Sequence, residues 1–134
     1  MNSRREDAAR MAELAASSQR AEAKAAQELI DAFVAEMRRR GAEPEQLRAT
    51  LLNGKSAKTS RRGWYLNAAR NVAVGEDGAY YRLVVPGSAM ARFTGVELEP
   101  SDPPLVVGRG ARDGESGDLS DFLDAALERY APQP

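Results

Sequence analysis

Two stretches of the chain bring together residues able to do chemistry. The first is Gly108-Arg109-Gly110-Ala111-Arg112-Asp113-Gly114-Glu115-Ser116-Gly117, which follows an apolar triplet and precedes an amphipathic pattern. Glycine backbone N–H groups beside a helix start make a cradle for phosphate. Arg109 and Arg112 would add charge-assisted hydrogen bonds, so Gly108, Arg109, Gly110 and Arg112 are the candidate anion-binding residues. The spacing is G-x-G-x-x-x-G, and no Lys-Ser or Lys-Thr follows as in a P-loop. Asp113, Glu115 and Asp118 also place carboxylates where the anion would sit. Those acids could instead hold a hard cation through oxygen ligands, yet the twelve-residue loop with its terminal bidentate Glu is missing. The plainer alternative is a loop whose acids favour the following helix start or pair with the two arginines.

The second stretch is Lys55-Ser56-Ala57-Lys58-Thr59-Ser60-Arg61-Arg62-Gly63-Trp64-Tyr65. With Arg48 and Arg70 it forms a basic island: residues 46–75 hold six basic groups and no acid. Cations for phosphate beside rings for bases are what single-stranded nucleic acid binding uses. The candidate polyanion residues are Arg48, Lys55, Lys58, Arg61, Arg62, Trp64, Tyr65 and Arg70. Against this, Trp64 is the one Trp of a chain poor in large apolar groups, and burying it would stabilise a scarce core by about 2–3 kcal/mol.

Catalysis has few instruments here. The chain has no His and no Cys, which excludes imidazole-based triads, thiolate nucleophiles, disulfides and zinc–thiolate sites. Ser56 between Lys55 and Lys58 is the nearest approach to a nucleophile with a base, and nothing local buries those lysines to lower their pKa. The expectation is therefore a chain that binds and does not catalyse, with no cofactor and no metal.

The elements that must position these residues follow from composition and period. Leu, Ile, Val and Phe number 24 among 134 residues, while the net charge is only −1. That scarcity of core residues without strong self-repulsion fits one domain not all of which packs. Residues 1–45 are nearly neutral and residues 76–134 carry a net of −6, with eleven acids against five bases. No Gly or Pro interrupts residues 2–40, and Ala, Glu and Arg there favour helix. A helix over about 7–40 is expected, its second half docked through Ala26, Leu29, Ile30, Phe33, Val34 and Met37. Its first half, residues 1–28, is expected as a partly solvated arm ahead of a domain at 29–131. The arm's seven-residue seam of Met11, Leu14, Ser18, Ala21, Ala25 and Glu28 is mostly small or polar, so it offers little burial as a coiled coil. Arg38-Arg39-Arg40 suits the negative end of the helix dipole, and Gly41 ends the helix.

Leu47, Ala49 and Leu51 alternate with polar residues as in a half-buried strand, with a short helix from Pro44 as the competitor. Asn53-Gly54 marks a hairpin in which both positions take positive φ, and 55–62 reads as either the return strand or a loop. A hairpin of 70–74 with 79–85 follows, placing Tyr81, Leu83 and Val85 on one face and Tyr80, Arg82 and Val84 on the other. Further strands are expected at 91–93 and 96–98, and a more buried one at Leu105-Val106-Val107. Leu119, Phe122, Leu123, Ala126 and Leu127 form the stripe of a closing helix, capped by Asp118 or Ser120. The expected fold is α+β: a long N-terminal helix, a small antiparallel β-meander of four to five strands, and a C-terminal amphipathic helix packed on the sheet. The apolar runs are too short to span a membrane, and no secretory pattern opens the chain. A cytoplasmic protein that binds another protein or forms a homo-oligomer is the leading expectation. Nucleic acid is the second partner class, and a nucleotide or phosphate at 108–117 the third.

Overall fold

The computed structural model describes residues 3–87, 90–108 and 116–132. It opens with one long helix, α1 (Ser3–Arg39), whose length follows from an uninterrupted run of good helix formers. Its second half is held by burial of Ala26, Ile30, Phe33, Val34 and Met37. Leu29 was expected in that stripe but remains 37% exposed, because the docked face is narrower than the apolar pattern. The helix ends at Gly41 (φ 73), where the Ala42 N–H donates to the Met37 carbonyl at 2.9 Å.

Strands β1 (Glu45–Leu51) and β2 (Ser56–Tyr65) then pair antiparallel. Leu47, Ala49 and Leu51 point inward as the alternation requires, and residues 55–62 supply the return strand. The turn departs from expectation, since only Gly54 takes positive φ. The Asn53 side chain instead accepts a hydrogen bond from the Lys55 N–H at 2.9 Å, giving a three-residue loop closed by the Gly54 N–H on the Leu51 carbonyl. A register shift between Gln46 and Arg48 is stapled by Thr59. Its buried hydroxyl donates to the Leu47 carbonyl at 2.8 Å, which the interrupted ladder would leave unpaired.

The hairpin of β3 (Val72–Gly75) and β4 (Tyr80–Arg82) forms as expected and lies beside β2. A Cβ at Gly63 would stand 2.1 Å from the Val74 carbonyl oxygen, so β2 and β3 meet this closely only because Gly63 has none. Past Leu83 the same run continues as β5 (Val84–Val85), which pairs parallel with β1. The strand order is β4-β3-β2-β1-β5, so the two outer strands are successive pieces of one run. Leu83 joins them: its N–H donates to the Asn71 carbonyl, and its carbonyl accepts from the Thr50 N–H. The sheet therefore curls until its edges meet, and the expected antiparallel meander of four to five strands forms as a five-stranded, mostly antiparallel sheet with one parallel pair. Inside the curl lie Leu47, Ala49, Tyr65, Ala73, Tyr81, Leu83 and Leu98. Outside it, Trp64, Leu66, Val72, Val74 and Tyr80 meet the helices.

Two further expectations are corrected. Residues 91–94 form a short helix, α2 (Ala91–Thr94), and Val96 makes only an isolated bridge to Thr59. Phe93 is 69% exposed, so the alternation of Ala91 and Phe93 did not mark a buried face. The Leu105 triplet yields only β6 (Val106–Val107), paired with β7 (Gly117–Asp118); Val107 is buried but Leu105 is not. From β7 the chain passes directly into α3 (Leu119–Tyr130). Leu119, Leu123 and Ala126 bury in the cluster that α1 also enters, with Phe122, Leu127 and Tyr130 packed at its border. Asp118 occupies the cap position without a side-chain cap bond. The result is the expected α+β layering of a long helix, a sheet and a C-terminal helix.

Candidate functional site

The basic island splits in three. Arg48 stands directly across from Lys58, and Gln46 from Arg62, so period two puts Arg48, Lys58 and Arg62 on the outward face of the β1–β2 hairpin. Lys55 is exposed at the turn. Arg48 donates to the Ser56 hydroxyl at 2.7 Å and Arg62 to the Pro44 carbonyl at 2.7 Å. Arg61 and Arg70 are engaged elsewhere. The Arg61 guanidinium lies 5.5 Å from the centre of the Tyr81 ring and 3.8 Å from the Asp77 carboxylate. That of Arg70 lies 4.9 Å from the centre of the Tyr65 ring.

The aromatics belong to the core. Trp64 is 1% exposed and meets Phe33 edge-on, with ring centres 5.9 Å apart. Tyr65 is also buried; its hydroxyl accepts from the Arg48 N–H at 2.9 Å, and its own N–H donates to the Tyr130 hydroxyl. Tyr130 in turn donates to the Glu45 carboxylate at 2.6 Å, locking the end of α3 onto the start of β1. Neither Trp64 nor Tyr65 offers a ring face for a base to stack on. What is left of the nucleic-acid reading is a cationic strand face without aromatics.

Of the anion-loop candidates, Gly108 ends β6 with φ 75. Arg109, Gly110 and Arg112 lie outside the described residues. The segment connects two strands of a ribbon, not a strand to a helix as expected. The first N–H of α3, from Leu119, is already taken by the Leu105 carbonyl at 2.8 Å, which removes one donor a phosphate cradle would use. Among the described residues no cluster of three or more His, Cys, Asp or Glu side chains is placed to hold a metal ion. No helix among them is long and apolar enough to cross a membrane.

One site was not found in the sequence: a cleft of about 570 Å³ between α1, the β3–β4 hairpin and the segment that leads to β6. Tyr80, Arg82 and Val84 alternate along one strand face and form its floor, with Asn71 and Val72 beside them. Gln19 and Glu22 of α1 form one wall, and Asp102, Pro103 and Pro104 the other. Glu22 accepts from the Leu105 N–H at 2.8 Å, and Ser101 donates its N–H to the Tyr80 carbonyl. Burial pushes the Tyr80 phenol up to about 12, while nearby Arg82 works the other way. Tyr80 therefore remains a hydrogen-bond donor across the ordinary pH range. The strand period does place Tyr80, Arg82 and Val84 on one face. The opposite wall comes from Pro-rich chain that carries no period, so sequence spacing could not bring it there.

The remaining feature is the arm. Residues 3–25 of α1 precede its first buried residue, Ala26, and include Met11 at 66% and Leu14 at 61% exposure. Asp7 and Arg10 form an ion pair along it. Comparison of the chain with protein-family models, with characterised proteins and with solved structures finds no match.

Proposed function

We propose that this chain is a non-enzymatic interaction module that self-associates through the arm of α1, paired antiparallel with the arm of a second copy. The observation that supports the reading is the continuation of α1 over residues 3–25, outside the core, with Met11 and Leu14 exposed. At 1.5 Å per residue the arm extends about 35 Å. A helix this short of buried side chains is stabilised by what covers it more than by propensity. In an antiparallel pair, Met11 of each copy faces Leu14 of the other, giving two apolar layers, and Ser18 faces Asp7. The lack of His and Cys in the sequence is in keeping with binding in place of catalysis.

The test is molar mass in solution against concentration. The expected result is a dimer that dissociates on dilution, and that becomes a monomer with unchanged melting temperature in the M11R/L14R double variant. One-chain mass at every concentration up to about 0.5 mM, or a dimer indifferent to M11R/L14R, overturns the reading. Loss of the domain's stability on removal of residues 1–18 would overturn it too, because the arm would then belong to the fold.

A further inference from the structure

The cleft floored by Tyr80, Arg82 and Val84 gathers several polar groups that make no hydrogen bond or ion pair within the described residues. Tyr80 is 4% exposed, its backbone carbonyl is bonded to Ser101, and its ring closes the helix-facing core. Its hydroxyl has no hydrogen-bond partner among the described residues, and neither the Arg82 guanidinium nor the Asp102 carboxylate has a partner there. Of the remaining polar walls, Gln19 is exposed, and bonds inside the protein occupy Glu22, Asn67 and Asn71. Glu22 takes the Leu105 N–H, and Asn67 and Asn71 bond each other at 2.5 and 3.1 Å. Idle groups of opposite sign in one cleft, next to apolar walls of Val72, Val84, Pro103 and Pro104, describe a ligand with three parts. It has a hydrogen-bond-accepting anion, a cation, and an apolar body between or beside them.

We propose that this cleft binds a small zwitterion of dipeptide size with apolar side chains. The free carboxylate meets Arg82 and the Tyr80 hydroxyl, the free ammonium meets Asp102, and the side chains lie on the valine and proline walls. An isolated anion is disfavoured because Glu22 and Asp102 outnumber Arg82, and an isolated cation leaves Arg82 uncompensated. A ligand carrying both charges satisfies each side at once. The volume of about 570 Å³ lies within the ordinary range for small-ligand sites. A proton on Tyr80 at neutral pH makes it a donor to the carboxylate and not a repelling phenolate.

The experiment is titration of the full chain with leucyl-leucine, followed by calorimetry and by thermal shift. Wild type should bind at millimolar concentration or below, and its melting temperature should rise with ligand concentration. N-acetyl-leucyl-leucine, which lacks the ammonium, and leucyl-leucine amide, which lacks the carboxylate, should each bind at least tenfold more weakly. R82Q and D102N should each weaken binding by a similar factor while leaving the ligand-free melting temperature unchanged, since both side chains are exposed. Y80F, which keeps the buried ring, should weaken leucyl-leucine but leave the already carboxylate-free amide unaffected. Absence of binding by wild type at 10-fold above about 1 mM, equal binding of either capped peptide, or full binding by R82Q overturns the proposal. Because the cleft and the arm's seam are read by different variants, failure here leaves the self-association reading standing, and the converse holds.

Discussion

Single side chains decide what the basic island is. Arg48 and Lys58 face each other across the hairpin, and like charges in directly opposed positions repel. Replacing Lys58 by Glu should therefore stabilise the chain by about 0.2–1 kcal/mol, read as a rise in denaturant midpoint with an unchanged slope. A loss of stability would mean that Lys58 has a favourable contact of its own. The sequence already held the two arguments about Trp64, stacking platform or core. Scarcity of large apolar groups favours the core, and the structure places Trp64 at 1% exposure against Phe33. The division of Arg61 from Arg48, Lys58 and Arg62 follows the strand period, which could not be applied while 55–62 read as either a strand or a loop. That of Arg70 goes with its left-handed backbone (φ 57), which carries no local signature.

At the level of elements, patterns with a long period and consistent punctuation were readable. The docked half of α1, the β3–β4 hairpin and α3 all stand where their apolar spacing puts them. Short apolar pairs failed, as at Ala91 and Phe93, because two residues fit a strand and a helical turn equally well. The parallel pairing of β1 with β5 was invisible for another reason: it joins residues 50–51 to 84–85, and strand partners chosen at that separation leave no mark on either segment. The C-terminal turn of α1 carries its own pH signature. Arg39 and Arg40 hold the Glu36 carboxyl down to about 2, through hydrogen bonds of 2.5–2.7 Å. Since the folded value lies below the unfolded one, the contribution is present above about pH 4.5 and fades as pH falls toward 2. Wild type should melt above E36Q at pH 6, and the two melting curves should converge near pH 2. A constant gap across that window would count against the ionised carboxylate as the cause.

For the molecule as a whole, the alkaline limit is set from within. Tyr80 and Tyr81 are both pushed up to about 12, chiefly by burial, and Tyr130 is raised as well by burial and by Glu45. Here the folded values exceed the unfolded ones, so stability is complete below about pH 10 and declines as pH climbs from 10 toward 12. Melting temperature should fall steeply over that interval, and phenolate absorbance from these three rings should rise together with the loss of structure. Ionisation near pH 10 with the fold intact would refute this. The curled sheet has a further effect on how copies of this protein can meet. Leu83 ties the two outer strands into one run, and these strands are short, three residues in β4 and two in β5, so each offers few idle amides and carbonyls on which a foreign strand could grow. Fibrous stacking through these two outer strands is thereby disfavoured.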